Sequence, residues 1–467
     1  MIPGGLIFVE SRSLKYLAEA CGGRLAQGML NTAVSRINTD SRRIERGDCF
    51  LALPGERFDG HDFVSEAARQ GAAAVVVQAG RVPTLPEACA VLVVDNTRCA
   101  LGQIAARYRR DFELPVVAVG GSNGKTTTKE LLASVLQQKW VTLRSEASFN
   151  NDVGVPLTLL NLERRHQVAV LEAGTNHPGE LAPLVRMIQP RWGVVTSLGR
   201  EHLEFFGGLK GVVEEEGWLA ELLPPDGRLW VNGDSPGMDE LTRRARATVA
   251  RVGFGPQNDW QATLMGMDET GIRFAVRSPR AEFAGEYRVG LLGRHQVTNA
   301  LLAVAVSAEL GLSRAEVERG LREGKPARMR MQLWKAGGVN VLDDAYNANA
   351  DSMLAALQTL ADLAGGGRKV AVLGEMNELG AASEAAHREV GQRVAALGIA
   401  RLFAVGRMAP VLGAAARMAG LDAVGEFESV AAAGEAVRGF LQPGDWVLIK
   451  ASRAARLERI SEALRAV

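Results

Sequence analysis

Val116-Val117-Ala118-Val119-Gly120-Gly121-Ser122-Asn123-Gly124-Lys125-Thr126-Thr127-Thr128-Lys129 carries a strand, a glycine-rich turn and a helix start in direct succession. The β-branched run Val116–Val119 reads as a buried strand, and Lys129–Gln138 sets Leu131, Leu132, Val135 and Leu136 along one helical face. Between them, Gly121 to Thr126 has the make-up of a phosphate loop. Its glycines let main-chain N–H groups turn toward phosphate oxygens, and the helix N-terminus adds a partial positive charge. Lys125 is placed to reach the β- and γ-phosphates of a nucleoside triphosphate, while Thr126, followed by Thr127, offers a hydroxyl to Mg²⁺. The commoner spacing would want glycine at position 119, where Val119 stands, so this loop is of a shorter kind. A Gly-rich turn ahead of a helix is the plain alternative, and the Lys-Thr pair argues against it.

On either side the strand and helix alternation recurs. Cys49–Leu53 and Ala74–Val77 are short β-rich runs before the loop, closed by the helix-like Leu101–Arg110, and Pro115 marks a fresh start. Val168–Leu171 and Val194–Thr196 read as further buried strands, as a mostly parallel sheet requires. A second series begins after Lys325-Pro326, with Val339–Leu342, Lys369–Leu373, Leu402–Val405 and Trp446–Ile449. The chain has 467 residues, which is too many for one core, because single cores stop growing near ~250–300. Three α/β domains are expected, covering residues 1–113, 114–328 and 329–467.

Composition narrows the function. With 47% hydrophobic and 23% charged residues the chain reads as globular, and a net charge of +1 provides no long-range field for gathering nucleic acid. Cys21, Cys49, Cys89 and Cys99 form no CxxC pair and have no histidine cluster nearby, so they read as thiols in a reducing compartment rather than as a zinc or disulfide framework. Met1–Ser13 lacks a basic start, and no apolar run approaches the ~18–20 residues that span a bilayer. A cytoplasmic protein is expected.

A phosphate loop by itself fits a kinase or a regulatory NTPase as well as a ligase. Further motifs carry a resemblance. The loop is followed by Phe149-Asn150-Asn151-Asp152-Val153-Gly154-Val155-Pro156, by Leu171-Glu172-Ala173-Gly174-Thr175-Asn176-His177 and by His202-Leu203-Glu204, an order and spacing similar to the central ATPase domain of the Mur ligases. Asp40-Ser41-Arg42 and Gly55-Glu56-Arg57-Phe58-Asp59-Gly60-His61 resemble that family's N-terminal UDP-sugar domain. Asp343-Asp344-Ala345-Tyr346-Asn347-Ala348-Asn349, Gly374-Glu375-Met376-Asn377-Glu378-Leu379-Gly380 and Lys450-Ala451-Ser452-Arg453 resemble the C-terminal domain of the members that add D-alanyl-D-alanine. The resemblance implies a UDP-substrate-binding α/β domain, a central P-loop ATPase domain with a mostly parallel sheet and a Rossmann-like C-terminal α/β domain. It also implies an enzyme that uses ATP and Mg²⁺ to join D-Ala-D-Ala to a UDP-MurNAc-tripeptide through an acyl phosphate; a monomer is expected.

Site residues follow from the same resemblance. Thr126 and Glu172, at the end of a strand run, would hold the metal shared by the β- and γ-phosphates, and His202 would help hold a second. Taken singly, Glu172 reads as readily as an N-cap or rim charge, and His202 as a structural histidine. His295 and Asn299 would approach the adenine, though Asn299 is equally an N-cap for a helix over Ala300–Leu310. Arg330 would meet the phosphates and Asp344 the ribose, with Tyr346, Asn347 and Asn349 lining the same crevice; alone, these are good turn formers. Ser41 and Arg42 would face the UDP group, and Asn150, Asn151, Thr175 and Asn176 the sugar-peptide. Lys450 and Arg453 would hold the dipeptide carboxylate, or else are solvated charges.

Several positions depart from the family pattern. Where many relatives carry a lysine carbamoylated by CO₂, this chain has Glu216 within Glu214-Glu215-Glu216, implying an encoded carboxylate for the second metal unless the three glutamates are simply an acidic helix face. Ala451 replaces a usual glycine, Glu375 an aspartate and Ala350 a proline. The rivals are another Mur-type or folylpolyglutamate-type ligase and, from a different class, a P-loop kinase or nucleotide-dependent regulatory module.

Overall fold

Strands form where the β-branched runs lie, and in the parallel parts of the sheets most are followed by a helix. A computed structural model describes residues 10–465 apart from Glu56, Pro83, Ala88 and Ala364. Residues 1–9, which include most of the Met1–Ser13 segment, and Glu56 of the Gly55–His61 motif therefore lie outside the described residues. By compactness the chain falls into two units. One comprises the chain up to Ala118 with Trp140–Thr175 and Gly179–Trp192; the other comprises Val119–Lys139, Asn176–Pro178 and everything from Gly193 on.

The first unit contains a five-stranded sheet in the order Arg24–Gln27, Ala90–Val94, Ala74–Gln78, Asp48–Leu51, Arg36–Asn38. Its last four strands are parallel and the first is antiparallel. The buried Arg36 guanidinium donates to both oxygens of Asp48, at 2.6 and 2.8 Å, which satisfies two charges that would otherwise be costly inside. The same unit holds the parallel pair Thr142–Arg144 and Val168–Glu172. The helix Thr97–Arg109 starts four residues before the apolar pattern suggests, because the Asn96 side chain accepts the N–H groups of Arg98 and Cys99.

The second unit holds two sheets. In one, Arg228–Asn232, Thr248–Gly253 and Trp260–Asp268 run parallel, then the chain reverses through the antiparallel strands Gly271–Arg277 and Gly285–Val289. In the other the order is Gln332–Ala336, Val339–Asp343, Trp446–Lys450, Lys369–Leu373, Arg401–Val405, Val424–Phe427. All of its pairs are parallel except the first. Apolar side chains fill both of its faces, with Leu342, Leu373 and Leu448 toward one and Val341, Val372 and Ile449 toward the other. The three C-terminal motifs thus emerge at the carboxyl ends of neighbouring strands, where ligands gather in sheets of this kind. No helix among the described residues is long and apolar enough to cross a membrane.

Two further helix starts differ from the sequence reading. The helix after the phosphate loop begins at Lys125, directly after the left-handed Gly124, rather than at Lys129. The helix expected over Ala300–Leu310 begins at His295, so Asn299 stands in its second turn and is not an N-cap.

Candidate active site

The strand Val116–Gly120 is buried throughout and delivers the loop at its carboxyl end. Gly121 and Gly124 take φ of +110° and +92°, which side chains rarely adopt. A Cβ on Gly121 would sit 2.6 Å from Thr196 Oγ1, and one on Gly124 2.6 Å from Asn299 Oδ1, so both need glycine for space as well as for conformation. The loop is pinned to the segment beside it. Ser122 N–H donates to Ser197 O at 2.8 Å, Asn123 N–H to Ser197 Oγ at 2.9 Å, and Gly199 N–H to Ser122 Oγ at 2.9 Å. Lys125 Nζ curls back to donate to the carbonyls of Gly121 and Ser122, and it lies 3.8 Å from Glu201 Oε2. Thr127 is half-buried beside the buried Thr126.

Glu216 is brought to this loop. It is 1% exposed, its Oε2 accepts the Gly121 N–H at 2.8 Å, and its Oε1 is buried with no hydrogen-bond partner. Burial pushes its carboxyl up to about 8, while nearby Lys125 pulls it down. The alternative of a solvent-facing acidic helix is therefore excluded for Glu216. His202 has a left-handed φ of +48° ahead of the short helix Leu203–Phe206, its Nδ1 is 2.5 Å from Glu378 Oε2, and its Nε2 is 4.0 Å from Glu201. A carboxylate on one ring nitrogen orients the other, the usual arrangement for a metal-binding imidazole.

The C-terminal motifs meet the loop within the same unit. An Arg330 amino group is 3.5 Å from Thr126 Oγ1, and the guanidinium lies over the Tyr346 ring at 4.0 Å. Met329 and Met331 on either side of Arg330 both have positive φ, 57° and 49°, so the backbone is strained where it aims this cation. Asn349 caps the helix Ala350–Asp362 and donates to Asn123 Oδ1 at 2.9 Å. The buried Asn299 accepts from Thr128 Oγ1 and supports the loop from behind. His295 is held neutral, its pKa lowered to about 4 by burial, with Asp344 raising it and Lys450 lowering it.

Lys450 is not a solvated charge. Expected as a cation for the dipeptide carboxylate, it is 2% exposed and donates to Asp344 Oδ2 at 2.6 Å and to Asn347 O at 2.9 Å. Asp344 accepts on its other oxygen from Met331 N–H at 3.0 Å, so its hydrogen bonds here go to protein rather than to an open crevice. The physical reason is that an ammonium at the end of a buried strand must find a carboxylate or lose its charge; burial already lowers the Lys450 pKa. Arg453 is exposed beside Glu458, 3.2 Å away, and lies 6.0 Å from the Tyr346 ring. Asn176 is exposed and belongs to this same unit.

The remaining expected residues lie in the other unit. Glu172 closes the strand Val168–Glu172 at 1% exposure; its Oε1 accepts from Asn150 at 2.8 Å and its Oε2 is buried without a partner. That rules out a rim charge or N-cap. Thr175 is buried, and Asn151 Oδ1 accepts from the Val153 and Gly154 N–H groups just ahead of the helix Gly154–Leu159. Ser41 is buried, whereas Arg42 is exposed and paired with Asp40 at 2.7 Å.

A nucleotide with Mg²⁺ suits these residues. Most of the donors are oxygens, which a hard cation prefers, with the His202 imidazole as the one nitrogen; Glu172 and Glu216, each within its own unit, keep one buried oxygen unused. No group of three or more His, Cys, Asp or Glu that could hold a metal by itself is found among the described residues. Sparse protein ligation of this kind is normal for Mg²⁺, which keeps waters and phosphate oxygens. Sequence reasoning missed Ser197, Arg200, Glu201, Asp351 and Glu378. Only Glu201, adjacent to His202, and Glu378, inside a quoted motif, carried any local signal.

Comparison with known proteins matches residues 33–109 to the Mur ligase family catalytic domain, 119–307 to the Mur ligase middle domain, and 329–453 to the Mur ligase, glutamate ligase domain. A UDP-N-acetylmuramoyl-tripeptide–D-alanyl-D-alanine ligase of Bacillus subtilis is 35% identical, over 96% of this chain and 97% of its own. The Escherichia coli ligase of that name is 36% identical, over 97% and 98%. Among solved structures, MurF from Acinetobacter baumannii superposes with a TM-score of 0.89 at 33% identity, covering 98% of this chain and 100% of that one. MurF from Thermotoga maritima in complex with ADP gives 0.79 at 27% identity, over 92% and 97%.

Proposed function

Because the chain belongs to the Mur ligase family, we propose that it joins D-alanyl-D-alanine to UDP-N-acetylmuramoyl-tripeptide at the expense of ATP, a step of peptidoglycan precursor synthesis. A carboxylate and an amine do not condense in water without activation. The γ-phosphoryl group of ATP passes to the tripeptide's terminal carboxylate, giving an acyl phosphate and ADP. The dipeptide amine then attacks the carbonyl, and the tetrahedral intermediate collapses to amide and inorganic phosphate. The protein supplies positioning and charge rather than a nucleophile.

Thr126, Glu172, His202 and Glu216 are the residues that would hold Mg²⁺, which would neutralise charge developing on the transferred group. Lys125 and Arg330 steady the phosphates, and Gly121 to Thr126 cradle them. Residues 1–113 are read as the UDP-substrate domain, 114–328 as the ATP domain and 329–467 as the domain that takes the dipeptide. The enzyme acts in the cytoplasm, where ATP is available, and works as a single chain. The observation that carries the reading is the meeting of Arg330 and Asn349, from the C-terminal motifs, with Thr126 and Asn123 of the phosphate loop. A kinase or regulatory module would have no use for that set of acceptor-domain motifs.

The test is phosphate release from ATP with UDP-MurNAc-tripeptide and either D-Ala-D-Ala, a single amino acid, or nothing added. Strong turnover only with the dipeptide, and transfer of ¹⁸O from the labelled tripeptide carboxylate into phosphate, are the expected results. Equal turnover in all three tubes would overturn the reading.

A further inference from the structure

Arg200 stands two residues before His202, outside every motif that drew attention in the sequence, and its contacts are unusual for a loop residue. Its backbone N–H donates to Asp351 Oδ2 at 2.7 Å, its Nε to Asp351 Oδ1 at 2.8 Å, and an amino group to Glu389 Oε2 at 2.6 Å. One carboxylate thus receives both main chain and side chain while a second completes the guanidinium fork. Such charge-assisted, two-pronged bonding fixes direction as well as distance. Gly199 allows the approach, since a Cβ there would fall 2.7 Å from Asp351 Oδ2.

What this clasp holds is the seat of the phosphate loop. Ser197 accepts the Ser122 and Asn123 N–H groups, and Gly199 donates to Ser122 Oγ, so the loop rests on the segment that ends in Arg200. Asp351 lies in the first turn of the helix Ala350–Asp362, whose cap Asn349 touches Asn123 directly. The first turn of that helix therefore grips the loop twice, once by Asn349 and once through Asp351, Arg200 and the seat.

We propose that Arg200 is a positioning residue: clasped by Asp351 and Glu389, it holds the segment Ser197–Arg200 so that the phosphate loop presents ATP correctly to the groups of the C-terminal region. This rests on the ligase reading. A surface ion pair of ordinary kind would contribute little, and the three side chains are indeed 37%, 37% and 44% exposed. The distinctive expectation is thus an effect on turnover that exceeds any effect on stability, because an ångström of misplacement costs about 100-fold in rate.

The experiment compares Arg200→Met, Arg200→Lys, the double variant Asp351→Asn/Glu389→Gln, and the triple combination. Arg200→Met should lower kcat about 10- to 100-fold with the KM for ATP changed by less than about threefold, and Arg200→Lys should recover part of the loss. Adding Arg200→Met to the double variant should cost nothing further, since the partners act as one unit. Thermal midpoints should stay together. Hydrogen exchange of the Ser122 and Asn123 amides, read without turnover, should speed up about tenfold or more in Arg200→Met. Wild-type kcat in Arg200→Met, losses that multiply, or unchanged amide exchange would each overturn the proposal. Absence of dipeptide-dependent turnover in the wild type would instead remove the ligase reading, and the exchange measurement would still decide the clasp.

Discussion

Replacing Lys450 by methionine separates two readings of that residue. In the structure its ammonium is buried, 2.6 Å from Asp344 Oδ2. At an effective dielectric constant near 20, charges 2.6 Å apart attract by roughly 6 kcal/mol. Desolvating two ions offsets much of that, so what a variant reveals is the cost of stranding the survivor, about 3–5 kcal/mol for a broken buried pair. Lys450→Met leaves Asp344 with only the Met331 N–H as partner, and Asp344→Asn leaves the ammonium with the Asn347 carbonyl and a neutral amide. Each single change should therefore lower stability by several kcal/mol, while Lys450→Met/Asp344→Asn together should cost far less than the two added. Urea unfolding of the four proteins at pH 7.5, followed by tryptophan fluorescence, supplies the cycle. Additive losses would refute the argument. So would a Lys450→Met protein of normal stability whose only defect is a raised KM for D-Ala-D-Ala, because that is what an open carboxylate clamp would give.

Gly124→Ala places a side chain at φ +92° and a Cβ 2.6 Å from Asn299 Oδ1; backbone strain alone is worth ~1–2 kcal/mol, and the shifted loop should weaken ADP binding about tenfold or more by calorimetry, with unchanged affinity counting against the geometry. His295 has a folded-state pKa near 4 against an ordinary 6.5, so its contribution is complete above pH 6.5 and is lost as pH falls through 4. Relative to His295→Gln, the wild type should lose up to about 2.5 kcal/mol between pH 7.5 and 4.5 at ~1.4 kcal/mol per pH unit, and a pH-independent difference in unfolding free energy would contradict this. Glu216→Gln keeps an acceptor for the Gly121 N–H but removes the charge, so the Mg²⁺ concentration for half-maximal rate should rise about tenfold or more, a one-carboxylate effect of ~1.4 kcal/mol or greater, while the wild type should be indifferent to bicarbonate; a wild type that stops in CO₂-depleted buffer would overturn the assignment.

How far the sequence could be read depends on whether a residue's task is local. Val116–Gly120, Lys369–Leu373 and Trp446–Lys450 were legible because strands buried on both faces must be apolar throughout, and that pattern survives in one dimension. The strands Trp260–Asp268 and Gly271–Arg277 were not, because an antiparallel pair with one open face alternates, and the exposed Leu264 and Met265 blur that alternation at the bulge between Leu264 and Gly266. In the site, the phosphate loop announces itself since its chemistry needs contiguous residues. Arg200 and Asp351 are 151 positions apart, and nothing in either neighbourhood points to the other.

Lys450 shows the limit from the opposite side. A cation next to a motif invites a ligand-binding role, yet a strand that is buried at all five positions, Trp446–Lys450, carries its last side chain into the interior with it. The strand's hydrophobicity excludes a solvated charge at its end and leaves the dipeptide role to the KM measurement. The same reasoning favours Glu172 and Glu216 as functional. Each is as buried as Lys450, but where Lys450 has two protein acceptors, each carboxylate is left with one oxygen unpartnered inside the protein. An unpaired buried acceptor costs about 1–3 kcal/mol, more when charged, and nothing in the packing around Glu216 requires a carboxylate merely to accept one N–H from Gly121, which a glutamine would accept as well. An arriving cation would use that free oxygen, which is why an acid rather than an amide suits the place.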